Sequence, residues 1–147
     1  MNFSGEYLNS IDAKGRASIP ARFRDALAQQ GDERLVVTKN LEGGLTAYPP
    51  PLWEQIRTNM ENAPPTPKKN AMIRLLITPA TECPFDKQGR IQLPQSLRSY
   101  AAVEKDIVVL GMFDKIEIYS QARYDEVMLR SGELLQADLQ AVASMGF

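Results

Sequence analysis

The sequence predicts a mainly β protein with flanking helices, an α+β fold built from two pseudo-symmetric halves. Three observations carry this. A thirteen-residue segment beginning at Asp12 recurs 74 positions later at Asp86, short apolar strand-like runs follow each copy, and a proline followed by helically spaced apolar residues marks a helix in each.

In register, Asp12 matches Asp86, Gly15 matches Gly89 and Arg16 matches Arg90. Ile19, Pro20, Phe23 and Arg24 likewise match Leu93, Pro94, Leu97 and Arg98, making seven of thirteen positions. The echo continues at slightly shorter spacing: Leu35 to Val37 against Ile107 to Val109, Tyr48 against Tyr119, Trp53 against Tyr124, and Ile56 against Val127. Each half is too short to bury a comfortable core alone.

The elements follow in order. Phe3, Gly5, Tyr7, Asn9 and Ile11 occupy alternate positions, as in a strand with one apolar face. Asp-x-x-Gly then makes a tight turn, because aspartate bonds the backbone ahead of it and glycine accepts positive φ. A short strand from Arg16 to Ile19 precedes a helix that Pro20 starts, Phe23, Ala26 and Leu27 face inward, and Gly31 closes. Arg34 to Lys39 and Leu45 to Tyr48 form a hairpin across Gly43 and Gly44, and a helix from about Pro51 turns Trp53, Ile56 and Met60 inward. The second half repeats this programme, with a turn at Asp86 to Gly89, a helix from Pro94, strands at Ile107 to Leu110 and Lys115 to Tyr119, and a helix from about Gln121.

The halves are therefore placed at residues 1–62 and 71–131, with a proline-rich connector at 63–70. Its prolines oppose helix and sheet ladder alike. Met72, Leu75 and Leu76 predict a helix packed between the halves. Residues 132–147 are read as a C-terminal amphipathic helix whose stripe of Leu134, Leu135, Leu139 and Val142 is assigned to core ahead of interface.

Composition bounds the chemistry. The 147 residues are 44% hydrophobic and 24% charged, an ordinary globular balance. There is no histidine and one cysteine, so a Ser-His-Asp triad, a Cys-His dyad and a histidine-ligated zinc site are excluded. Cys83, without a histidine base, reads as a small half-buried thiol. The acids are scattered without a pair that could share a pocket, and no glycine-rich phosphate loop of the Walker or dinucleotide type is present. The expectation is no enzyme, no cofactor and no metal. No apolar run approaches a bilayer span, and the opening residues lack a basic region followed by an apolar stretch, so a cytoplasmic protein without a membrane partner is expected.

Net charge is −1, from 17 basic and 18 acidic residues. Its distribution is uneven. Asp12 to Arg24 carries four basic residues against one acid, Asp86 to Arg98 three against one, and Glu117 to Phe147 five acids against two arginines. Positive charge is thus concentrated in the two repeated segments.

Each repeated turn projects a lysine and an arginine from a hairpin. Arginine's planar fork suits phosphate and the acceptor edge of guanine, lysine acts as a point charge, and a β-ribbon is narrow enough for the major groove. An Asp-x-x-x-Arg pair also reads as an ion pair pinning its own turn, worth about 0.2–1 kcal/mol when exposed. Asp12, Gly15, Asp86 and Gly89 are accordingly assigned to turn structure, and Lys14, Arg16, Lys87 and Arg90 to DNA binding. Arg22, Arg24 and Arg98 are read as solvated charges along the helix or flanking phosphate contacts. Lys68, Lys69 and Arg74 read as a solvated helix start, and Trp53 and Tyr124 as core anchors.

The doubled Asp-x-x-Gly-Arg turns, each followed by Ile19-Pro20 or Leu93-Pro94, resemble the MraZ family, bacterial transcriptional regulators of the division and cell-wall gene cluster. The resemblance covers nearly the whole chain, including Leu75-Leu76 leading to Thr81-Glu82-Cys83. It implies a double-split β-barrel of AbrB type with interlocked halves, a ring-shaped homo-oligomer, and binding to short direct repeats in promoter DNA upstream of the protein's own operon, usually with repression. Nucleoid association follows. The family's basic turn residues map onto Lys14, Arg16 and Arg90. The second turn has Lys87 and Gln88 where the first has Ala13 and Lys14, which gives the first turn the larger expected share of base reading. The rival reading is a ring-forming scaffold whose arginines hold subunits together, with DNA binding incidental.

Overall fold

A computed structural model describes residues 2–147 and shows the α+β fold. The first half contains β1 (Glu6–Ser10), β2 (Arg16–Ser18), α1 (Ala21–Ala28), β3 (Arg34–Lys39), β4 (Leu45–Tyr48) and α2 (Pro50–Asn62). Next comes α3 (Pro67–Met72), which widens into a π-helical turn at Ile73–Ile77. The second half adds β5 (Thr81–Pro84), β6 (Arg90–Gln92), α4 (Gln95–Ala101), β7 (Asp106–Gly111), β8 (Ile116–Ser120) and α5 (Gln121–Gln136), and α6 (Leu139–Ser144) follows.

The strands form a six-stranded antiparallel sheet in the order β1-β7-β8-β4-β3-β5 and a two-stranded ribbon of β2 with β6. Only the β3–β4 and β7–β8 hairpins pair within one half. Strand β1 leaves its own half to pair with β7, as β5 leaves its own to pair with β3, and β4–β8 and β2–β6 pair like with like about the pseudo-twofold axis. Each ribbon strand is joined to an edge strand of the sheet through one of the repeated turns, so the ribbon and the sheet share one interior.

That interior is apolar and closed. Ala17 and Ile91 enter it from the ribbon, Leu35, Val37, Leu45, Ala47, Ile107, Val109, Ile116 and Ile118 from the sheet, Phe23 and Leu27 from α1, and Leu97 and Ala101 from α4. Each large aliphatic or aromatic side chain fully removed from water there contributes roughly 1.5–3 kcal/mol. Phe3 and Tyr7 meet Phe23 edge to face at centroid distances of 5.4 and 5.3 Å, which ties the β1 region to α1. On the sheet's other face, α2 buries Trp53 against Tyr48 and α5 buries Tyr124 against Tyr119. The Tyr124 hydroxyl donates to Glu6 Oε2 at 2.7 Å, so its polar end is satisfied.

Three expectations are corrected. The connector is irregular only between Asn62 and Pro67, because Pro67 stands at the first position of α3, where its missing N–H costs nothing, and Thr66 caps that helix by accepting from Lys69 N at 3.1 Å. The following apolar segment does not pack between the halves. It lies over β3, where Thr38 Oγ1 donates to Leu76 O at 2.6 Å, and Met72 and Leu75 remain exposed. Residues 132–147 are not one helix: α5 runs through Gly132 to Gln136, and Asp138 caps a separate α6. Leu134, Leu135 and Leu139 are exposed, so the stripe is not core. None of the described helices is long and apolar enough to cross a membrane.

Candidate nucleic-acid interface

The two repeated turns have one hydrogen-bond plan. In the first, Asp12 Oδ1 accepts from the amides of Lys14 (3.0 Å) and Arg16 (2.9 Å), and Oδ2 accepts from Arg16 Nε at 2.7 Å. In the second, Asp86 Oδ1 accepts from the amides of Gln88 and Arg90, both at 2.9 Å, and Oδ2 from Arg90 Nε at 2.9 Å. The chain reverses through Gly15 at φ +83° and Gly89 at φ +77°, a region other residues enter only with strain. Both carboxyls are held below their ordinary pKa, Asp12 chiefly by the Arg16 amide and Asp86 chiefly by the Arg90 amide. The ion-pair reading of Asp-x-x-x-Arg is what the geometry shows. The same bond at Nε also aims each guanidinium; the terminal nitrogens of Arg16 make no protein contact among the described residues, whereas Arg90 Nη1 lies 3.5 Å from Asp12 Oδ2.

The ribbon sets where these arginines stand. Arg16 pairs with Gln92, Ala17 with Ile91, and Ser18 with Arg90. Paired residues share a face, and Ala17 and Ile91 are fully buried, so Arg16, Ser18, Arg90 and Gln92 occupy the outer face together. The two arginines stand diagonally across it, 35% and 23% exposed. Gln92 Nε2 donates to Lys14 O at 2.5 Å, stitching the first turn to the opposite strand. Lys14 and Lys87 lie exposed at the turns. The two assigned arginines are thus brought to one face of the ribbon, with the two assigned lysines exposed at the turns that flank it. Ser18 and Gln92, which belong to it as well, carry no charge and differ between the copies, so the repeat did not single them out.

Arg24 and Arg98 are not solvated along their helices. Each is partly buried on the turn of the other half. Arg98 Nε donates to Leu93 O at 3.0 Å and its guanidinium covers Gly15, where an added Cβ would fall 2.5 Å from Nε. Arg24 Nε donates to Ile19 O at 3.1 Å, and its guanidinium covers Gly89 so closely that a Cβ there would collide with it. Arg22 stays exposed on α1 and makes no hydrogen bond or ion pair among the described residues. Away from the ribbon, Lys69 Nζ donates to Ala63 O (2.7 Å) and Glu61 O (3.3 Å), closing the end of α2, so it is a capping group more than a solvated helix start. Cys83 is fully buried rather than half-buried, and burial pushes its thiol up to about 12.

A family model for "MraZ protein" matches the chain twice, over residues 2–75 and 76–142. Transcriptional regulator MraZ of Syntrophotalea carbinolica is 46% identical over the full length of both chains. The protein of that name from Desulfitobacterium hafniense strain Y51 is 39% identical over 98% of this chain and 99% of its own, and that from Geobacter sulfurreducens 36% over the same shares.

Proposed function

The chain belongs to the MraZ family, and from that premise we propose that it is a transcriptional regulator, with no enzymatic activity, that binds double-stranded DNA through the β2–β6 ribbon. The observation that carries the reading is the placement of Arg16 and Arg90 on one exposed face of a two-stranded ribbon, each aimed by an aspartate. A ribbon of this width fits the major groove, and an arginine fork held at Nε offers its terminal nitrogens to guanine or phosphate. Lys14 and Lys87 supply backbone contacts at the turns.

Near-zero net charge makes a single protomer a weak ligand, at about 10⁻⁴–10⁻⁶ M for non-specific contact. A ring of protomers on tandem direct repeats raises avidity by roughly 10²–10⁴ without new contacts. We therefore read the protein as a ring-forming repressor of its own division and cell-wall operon, acting by occupying repeats in the promoter.

The test is a titration of duplexes carrying one to four repeats from the region upstream of its gene, with Arg16→Ala and Arg90→Ala beside wild type and assembly followed by sedimentation. Affinity rises steeply with repeat number, and both variants assemble normally but bind poorly. Variants that dissociate as oligomers would favour the scaffold reading, and equal affinity for one repeat and four would contradict the avidity argument.

A further inference from the structure

Arg24 and Arg98 are equivalent in the repeat, each on the helix that follows its own turn, yet each guanidinium lies on the turn of the other half. The backbone crosses in the same way: Leu93 N donates to Gly15 O at 2.8 Å, and Ile19 N to Gly89 O at 3.2 Å. Each turn is therefore fixed twice, by its own aspartate and by the opposite helix's arginine lying against its glycine. The glycine is required on two counts, positive φ and the absence of a side chain where the guanidinium sits.

We propose that Arg24 and Arg98 are positioning residues for DNA binding, Arg98 fixing the aim of Arg16 and Arg24 fixing that of Arg90. The inference rests on the DNA-binding reading of the ribbon. A planar guanidinium covers a glycine while its Nε serves a carbonyl; an ammonium group can serve the carbonyl but has no plane to lay over the glycine at the same time. One half then cannot present its own arginine unaided: the helix that steadies each turn comes from the other end of the repeat. The DNA-reading face is complete only when the halves are interlocked.

The experiment pairs hydrogen exchange of the turn peptides with DNA affinity in the full-length protein, for Arg24 and Arg98 each changed to alanine and to lysine. Arg98→Ala raises exchange over residues 12–16 and leaves 86–90 near wild type, and Arg24→Ala does the reverse. Each lowers affinity about tenfold, the scale of losing one well-aimed arginine contact. Lysine does not rescue. In an Arg16→Ala background, removing Arg98 costs no further affinity and leaves the slope of log affinity against log salt unchanged.

Rescue by lysine, or a further fall in slope of about 0.9 in that background, makes Arg98 a phosphate contact and overturns the inference. Equal loosening of both turns by either variant makes the role one of general stability and overturns it too. Should the alanine variants fail to fold, the lysine variants, which keep charge and stem, carry the same exchange comparison. Binding lost in Arg16→Ala and Arg90→Ala but retained in both helix variants defeats the inference alone, whereas a wild-type protein that does not bind DNA defeats the reading beneath it.

Discussion

Arg90 and Asp12 belong to different turns and meet across the ribbon: Arg90 Nη1 lies 3.5 Å from Asp12 Oδ2, the oxygen that also accepts from Arg16 Nε at 2.7 Å. Asp86 holds Arg90 alone, and no reciprocal pair joins it to Arg16 among the described residues. The pseudo-symmetry is thus broken at one carboxylate. Arg90 is drawn down between two aspartates, and Arg16, tied to one, keeps both terminal nitrogens free of protein partners among the described residues.

Asp12→Ala therefore loosens both arginines and Asp86→Ala only one. In DNA titrations Asp12→Ala is expected to lose several-fold more affinity than Asp86→Ala. Equal losses would show that the cross-turn contact carries no weight.

The pH dependence follows from the same carboxyls. Their folded pKa values lie below the ordinary value of 3.8, so their contribution to the turns is fully present above about pH 5 and is lost as pH falls through the depressed folded values. Exchange over residues 12–16 and 86–90 should be insensitive to these groups near neutrality, once the intrinsic pH effect is removed, and rise only in acid. Loosening of the turns between pH 6 and 8 would contradict this assignment.

Gly15 and Gly89 should tolerate alanine worse than Gly31. All three have positive φ, at +83°, +77° and +79°, but nothing lies within 4 Å of a Cβ added at Gly31. Backbone strain at such a site costs about 1–3 kcal/mol. Gly15→Ala and Gly89→Ala additionally displace a guanidinium, so their urea midpoints should fall further than that of Gly31→Ala. Three equal shifts would remove the packing argument.

Cys83 should be inert in the folded protein. Its thiol is closed off and its pKa raised to about 12, leaving almost no thiolate at neutral pH. A thiol-specific reagent is expected to label it only at the rate of unfolding, and rapid stoichiometric labelling of native protein would contradict the burial.

Much of this was legible in the chain. The match of Asp12, Gly15 and Arg16 with Asp86, Gly89 and Arg90 located both turns, and alternation and proline placement located the strands and helices near them. The exchange of partners was not legible from periodicity, which reports that Leu35 to Val37 and Ile107 to Val109 are strands but not that β1 prefers β7 to a neighbour in its own half. For the same reason Arg24 and Arg98 read as helix-surface charges: helical spacing gives a side chain's direction, and only the interlocked halves put the opposite turn beneath it. The C-terminal leucines misled because amphipathic spacing marks an apolar stripe without saying whether this chain covers it.

The central claim, that the outer face of the ribbon is where DNA lies, is tested most directly by placing a photo-reactive side chain at Ser18, which faces outward opposite Arg90, and at Asn59 on the exposed side of α2. Irradiation with operator duplex should capture DNA at position 18 and not at position 59. Capture at position 59 with none at position 18 would contradict the account.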